Sequence, residues 1–481
     1  MFLKHYWKVV KLMKGLKGNI VYNFIYNIVV LCFPLIITPY ISRVLGADGI
    51  GTYAMHYSIA QFFVIFAMLG LNNYGVRAIS ETNLGSKETL SRTFWEIYQV
   101  QFVCTTIILI AYLLYCGLIS KDKTISILFG LYVVSCFFDI SWFYSGIEQF
   151  KTILTRNVLV KIANLILIIL LVKDRNDIVE YVFIMVFGML VSQMSLWFFV
   201  PKYIEKQKVS IIRSFKKHFL GNIKFLIPVL AVSIYKYMDK IMLGAMASNS
   251  DLGYYENVEK IVNIPVAFVT ALGTVMLARV TNLYARGNTN SSETYMENSI
   301  IFTMFLSSGM VFGILGIAKE FVPLFFGSGF EKCISLIYIM VPTVFFLGIS
   351  NVIRTQYLIP AKREKIYIES VCIGAFVNLV LNYILIPRFK SFGAAIGTFL
   401  AEMFVLLYQY IRVKRDIKIQ KVLIYSLGYL VLGVLMWFLL INLNFLYENN
   451  LVHMCVKIII GAIFYCVLSI GYLWFSKRLK T

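Results

Sequence analysis

Six charged residues stand where charge is expensive. Within residues 228–274, Lys236, Asp239 and Lys240 lie on one apolar arm, and Glu256, Glu259 and Lys260 lie on the next. A charge at membrane depth costs roughly 2.5–3.5 kcal/mol on insertion scales, so such side chains face water or each other. Lys236 and Lys240 are four residues apart with Asp239 between them, which puts all three on one side of a helix. Glu256, Glu259, Lys260, Asn263, Thr270 and Thr274 repeat at helical spacing on the second arm. Counted from a turn at 247–251, Lys240 is level with Glu259, and Asp239 with Lys260. Two chemistries fit. One is an ion-pair network that glues two helices together. The other is the polar wall of a transport cavity. There Lys236, Lys240 and Lys260 would bind an anion, and Asp239, Glu256 or Glu259 would be the carboxylate that titrates with a coupling ion.

Other charges have narrower roles. Arg77, Arg279 and Arg354 fall near the cytoplasmic ends of apolar segments. They become the better anion contacts if the carboxylates neutralise the three lysines. Asp139 and Glu148 sit near one end of the fourth segment and read as gating or structural residues, tied to the fifth through Lys151 or Arg156. Lys161, Lys224 and Lys457 are further lysines in apolar runs; the last two lie near helix ends, where snorkelling accounts for them. Asn19, Asn23 and Asn27 make a stripe that suits either interhelical hydrogen bonds or a cavity lining.

The elements that position these residues are membrane helices. Of 481 residues, 59% are hydrophobic and 14% charged, with mean hydropathy +0.78, which is the balance of a polytopic membrane protein. About fourteen apolar segments reach spanning length, with about twelve as the alternative. They centre near Val30, Phe63, Ile107, Val134, Leu165, Gly188, Val232, Val266, Met310, Phe346, Phe376, Met403, Val434 and Ile460. The formal charge of +21 sits between these runs, so it sets topology and does not mark nucleic-acid binding. Placing both termini in the cytoplasm gathers most lysines and arginines inside. The basic stretch Lys4 to Lys17 precedes a long apolar run with no small-residue cleavage site, which reads as an uncleaved first helix. The eight cysteines show no CxxC pair, and Cys104, Cys136, Cys372 and Cys466 read as small core hydrophobes. Pro34, Pro39, Pro228 and Pro265 lie inside spans and should bend them.

A short repeat relates two hairpins: Leu-Gly-Ala at 45–47 with Gly-Thr-Tyr at 51–53, and Leu-Gly-Ala at 243–245 with Gly-Tyr-Tyr at 253–255. Both follow a proline and a basic residue and run in the same direction. Parallel six-span lobes at 1–205 and 206–416 follow from it, with residues 417–481 as two added spans.

Several chemistries lack their residues. There is no GxxxxGK[ST] loop for ATP, no HExxH and no GxSxG. The histidines His5, His56, His218 and His453 are scattered, and only His56 falls in a span. The outer loops are short, which argues against a membrane polymerase or ligase. No cofactor and no enzymatic activity are expected. A cation-coupled drug exporter of the same architecture would show a carboxylate-dominated pocket with few buried lysines. A non-transporting scaffold would not need a charged interior.

Four stretches in order along the chain resemble one family: SRVLGADGIGTYAM (42–55), DISWFYSGIEQFK (139–151), MDKIMLG with GYYENVEKI (238–261) and NYILIPRFKSFGAAIGTFLAE (382–402). The chain resembles the Wzx-type oligosaccharide flippases, the polysaccharide-biosynthesis branch of the multidrug/oligosaccharidyl-lipid/polysaccharide exporter superfamily. The resemblance implies an all-α integral membrane protein with two six-helix lobes in a MATE-like arrangement, two C-terminal helices and a cationic central cavity. It implies transfer of undecaprenyl-diphosphate-linked oligosaccharide to the outer leaflet of the bacterial cytoplasmic membrane. A polysaccharide polymerase and glycosyltransferases are then candidate partners. The related peptidoglycan-precursor flippases carry arginines in the first span where this chain has asparagines, which speaks against a lipid II substrate.

Overall fold

The computed structural model describes residues 2–83, 85–417, 419–443 and 450–478; for residues 2–32, 227, 228, 231, 235, 289, 450 and 475–478 it describes only the backbone. The asparagine stripe and Pro228 therefore lie outside the described side chains. Every described segment of regular structure is helical. Among the described residues, eleven helices are long and apolar enough to cross a membrane, so the chain is a multi-pass all-α membrane protein.

The chain divides into two compact units, residues 1–45 with 53–233, and residues 46–52 with 234–481. The first contains most of α1 (Phe2–Met68), then α2 (Leu71–Thr82), α3 (Lys87–Leu118), α4 (Lys123–Ser135), α5 (Ser141–Gly146), α6 (Phe150–Leu171) and α7 (Ile178–Ser195). A 3-10 turn at Leu196–Lys202 and an irregular stretch lead to α8 (Ile211–Met246), whose last third belongs to the second unit. In α1 the non-helical residue is Gly46, at φ 66°; both Pro34 and Pro39 lie within continuous helix. Only glycine reaches that conformation without steric cost. α8 carries Arg213, Lys216, Lys217, Lys224, Lys236, Asp239 and Lys240.

The core of the first unit explains the 139–151 stretch. Asp139 accepts from the Ser141 amide and hydroxyl at 3.0 and 2.6 Å and so fixes the start of α5. α5 then buries Trp142, Phe143 and Tyr144 against Ile79, Phe94 and Ile97. Trp142 donates to Gln101 at 2.9 Å, and Tyr144 donates to the Leu196 carbonyl at 2.7 Å, so neither aromatic carries an unmet polar group. Gly75 leaves room for the Trp142 ring. Glu148 follows with φ 58°, a left-handed residue that turns the chain into α6.

The second unit comprises α9 (Asn249–Ala285), α10 (Thr289–Phe326), α11 (Lys332–Met340), α12 (Thr343–Ile353) with a π turn at Arg354–Leu358, α13 (Glu364–Phe389), α14 (Ser391–Val413), α15 (Ile419–Asn442) and α16 (Asn450–Arg478). Ser248 caps α9 by accepting the Asp251 amide at 3.1 Å. The strap 46–52 is seated on the start of α9. A Cβ on Gly51 would overlap the Asn249 carbonyl, and one on Gly253 would overlap the Ala47 carbonyl. The two contacts are reciprocal, each glycine meeting the carbonyl four residues before the other. Asn249 also donates to Thr52 at 3.0 Å.

Two expectations need correcting. Lys457 does not snorkel: it is buried and donates to Glu320 at 2.6 Å. Cys104 and Cys136 are buried as expected, but Cys372 and Cys466 are exposed.

Candidate functional site

The charged residues of α8 and α9 separate into two polar centres within the second unit. In the first, Lys240 is the hub. Its side chain is 8% exposed, and its ammonium lies 2.6 Å from Glu256 and 2.7 Å from Glu259. Glu256 and Glu259 are three apart on α9, so both carboxylates reach the same point on α8. Lys260 stands 4.0 Å from Glu256 and donates to Asn257 at 3.4 Å. One buried cation between two carboxylates leaves Lys240 little field for a further anion. Lys236 is different. It is exposed, with its ammonium 5.5 Å from the centre of the Tyr237 ring.

The second centre surrounds Asp239. The level-counting that paired it with Lys260 does not describe its contacts. Its carboxylate accepts from Asn382 at 2.6 Å, Thr398 at 2.8 Å and Tyr255 at 2.9 Å. Asn382 also donates to Asn378 at 3.1 Å. Asp239 is 5% exposed and has no cation within ion-pair distance among the described residues. A buried carboxylate held by neutral donors alone is a costly arrangement, and it is the kind that functional sites retain. The sequence offered Asp239 but not its partners, of which Tyr255 lies on α9 and Asn382 and Thr398 arrive from α13 and α14 more than a hundred residues later.

The three arginines are placed unequally. Arg77 pairs with Glu81 at 2.9 Å on an exposed face of α2. Arg279 on α9 donates to the Tyr295 hydroxyl at 3.3 Å, with its guanidinium 5.6 Å from that ring. Arg354 begins the π turn, donates to the Tyr367 hydroxyl at 3.3 Å and lies 5.2 Å from that ring. Its Nε is buried and has no hydrogen-bond partner. Arg279 and Arg354 each rest on a tyrosine face, a cation–π seat that leaves the charge uncompensated.

The first unit holds a centre that sequence reasoning missed. Glu96 on α3 is 2% exposed and accepts from Lys217 at 2.6 Å, His218 at 3.0 Å and Arg92 at 3.2 Å. The other ring nitrogen of His218 lies 2.7 Å from the Tyr74 hydroxyl. The signal was available: a single carboxylate in an apolar run that also begins with Arg92. Arg156, offered as a tie for Asp139 or Glu148, donates to the Ser192 carbonyl at 3.0 Å and to Gln193 at 2.7 Å, tying α6 to α7.

Near the second unit's C-terminal helices lies an apolar cavity of about 420 Å³. Pro265, Gly309, Gly313, Met436, Gly461 and Tyr465 line it, from α9, α10, α15 and α16.

The fold and this pattern of buried charge are those of a polytopic transporter. Residues 16–283 match the family described as polysaccharide biosynthesis protein, and the chain belongs to that family. It is 22% identical over 409 residues to a putative O-antigen transporter of Shigella dysenteriae, covering 83% of this chain and all of that one. In fold it is similar to a lipid II flippase MurJ in an inward closed conformation, with TM-score 0.73 at 16% identity over 96% of this chain and 99% of that one. It is also similar to an inward-facing multidrug resistance MATE family transporter of the MOP superfamily, with TM-score 0.57 at 13% identity over 78% and 94%.

Proposed function

We propose that the protein is a flippase for undecaprenyl-diphosphate-linked oligosaccharide in the bacterial cytoplasmic membrane. It would carry repeat units to the outer leaflet for cell-surface polysaccharide, with about fourteen crossings and both termini cytoplasmic. The observation that carries the reading is the imbalance of charge in the second unit. Glu256 and Glu259 are spent on Lys240, while Lys236, Arg279 and Arg354 have no carboxylate at ion-pair distance among the described residues. An anionic diphosphate needs such cations; an organic cation, as a drug exporter would carry, needs the reverse. Arg279 and Arg354 would receive the diphosphate at the cytoplasmic ends of their helices, and Lys236 would meet it further along. Lys240 and Lys260 would hold α8 to α9. The apolar cavity against α15 and α16 would seat part of the lipid chain, which gives the two added helices a role.

Coupling to an ion gradient would fall to Asp239, a buried carboxylate with no cation at ion-pair distance among the described residues. Purified protein in vesicles loaded with a fluorescent lipid-linked oligosaccharide tests both claims. Arg354→Gln and Arg279→Gln should slow flipping several-fold with insertion unchanged, and Asp239→Asn should make the residual rate insensitive to collapsing the proton and sodium gradients. Wild-type rates in both arginine variants would sink the head-group assignment.

A further inference from the structure

The first unit carries a basic surface that the transport path above does not use. Between α7 and α8 the chain is a linker in sequence, yet it is pinned along α3. The Glu205 amide donates to Ser91 at 3.0 Å, and Trp95 donates to the Glu205 carbonyl at 2.9 Å. Gln99 donates to the Val209 carbonyl at 3.0 Å and accepts from Ser214 at 3.0 Å. Ile204 is buried, and Glu96 holds the first turns of α8 through Lys217 and His218.

With one side fixed, the other side is presented as a rigid strip. Lys202, Lys206, Lys208, Arg213 and Lys216 are all exposed on it, and none has a carboxylate at ion-pair distance among the described residues. The strip's own acid, Glu205, is 3.0 Å from Lys87 and so is already compensated. Interleaved with these cations are large apolar side chains: Phe198 at 83% exposure, Ile212 at 82%, and Phe199, Ile211 and Leu220 at more than half. Bare aromatic and aliphatic groups beside unpaired lysines are what a membrane interface accepts. The apolar groups enter the acyl boundary, and the ammonium groups stay among the head groups. A basic cluster beside a span is drawn to an anionic leaflet.

We propose that this strip, 198–220, is a docking site for the anionic head groups of bilayer phospholipids. It lies on the cytoplasmic leaflet under the topology given above, and the proposal rests on that topology. Bound lipid would hold the linker that feeds α8.

The experiment measures lipid retention, not flipping, so it is independent of the transport reading. Full-length protein is exchanged into micelles doped with phosphatidylcholine or phosphatidylglycerol, and retained lipid is counted by native mass spectrometry. Wild type should keep several-fold more phosphatidylglycerol than phosphatidylcholine, and high salt should remove the difference. The mild variant Lys206→Gln/Lys208→Gln touches only exposed, unpartnered side chains, so folding is preserved. It should lose at least half of the preference, and adding Arg213→Gln and Lys216→Gln should lose the rest. Equal retention of the two lipids by wild type, or an unchanged preference in the variants, overturns the proposal. A reporter fused at Lys208 that reads external would overturn the topology instead, whatever the lipid count.

Discussion

Two buried ions anchor this chain, and they are mirror images. In the second unit a lysine, Lys240, is the buried hub, with Glu256 and Glu259 around it. In the first unit a carboxylate, Glu96, is the hub, with Arg92, Lys217 and His218 around it. The surroundings differ more than the signs. Both partners of Lys240 come from one helix, and their side chains are only 17% and 24% exposed. Arg92 and Lys217 are half exposed, and only His218 is as buried as Glu96. A buried ion whose partners are also buried is costly to break, because removing one member strands the others. A buried ion whose partners reach solvent can shed them at smaller cost.

Breaking the first hub should therefore have the larger effect. Lys240→Met leaves Glu256 and Glu259 facing each other with Lys260, 4.0 Å from Glu256, as a weaker counter-charge, and should destabilise by about 3–5 kcal/mol. The measurement is protein level in membranes followed by thermal unfolding in detergent. Adding Glu256→Gln and Glu259→Gln should return most of the stability, because the triple variant no longer strands the two carboxylates. If Lys240→Met alone inserts and unfolds like wild type, the hub is not structural and the lysine is free to bind substrate.

Glu96→Leu comes next, at about 1.5–3 kcal/mol, the range for hydrogen bonds to a charged group. Hydrogen exchange should localise the loss to 211–220, with α9 unchanged. Equal loosening of α9 would mean that the two hubs are not independent.

A smaller effect is expected where the second unit holds the strap 46–52. Gly253→Ala places a Cβ against the Ala47 carbonyl and should cost about 1–3 kcal/mol, as overpacking does. Gly51→Ala meets the Asn249 carbonyl and should behave alike. Because each contact moves the same two turns, the double variant should cost less than the sum of the singles. Full additivity would show that the contacts relax separately.

These three sites were not equally legible in the sequence. Each of the fourteen segment centres lies in a helix of its own once α1 is divided at Gly46, because hydropathy over about 20 residues is a strong signal. The Lys240 hub was visible because its members are sixteen and nineteen residues apart across one turn. Glu96 was less so: Arg92 is four residues before it, but Lys217 and His218 stand more than a hundred residues away in what reads as a polar linker. The same distance hid Asn382 and Thr398 from Asp239. Lys457 was misread because position near a helix end says nothing of a neighbour, and Glu320 lies 137 residues before it. The glycines at 51 and 253 were noticed as a repeat. That each meets the other's carbonyl is a property of packing, which no spacing rule contains.

The smallest prediction concerns a carboxylate held in a third way, by backbone alone. Asp177 lies in the loop between α6 and α7 and accepts the amides of Lys173 and Asp174 at 2.8 and 2.9 Å. Those two hydrogen bonds favour its charged form and hold its pKa below the ordinary aspartate value. The sign follows directly. A carboxyl whose folded pKa lies below its unfolded value contributes its full stabilisation above about pH 3.9, and loses it as pH falls through the lower folded value. The loop 172–177 should thus stay closed at neutral pH and open only in acid. Hydrogen exchange at the Lys173 and Asp174 amides, followed from pH 6 downward and corrected for intrinsic rates, should show protection falling only in the acid range. Asp177→Asn should keep part of the protection and lose its pH dependence. A wild-type loop whose protection is flat throughout, or a variant that titrates like wild type, would assign the loop's order to some other group.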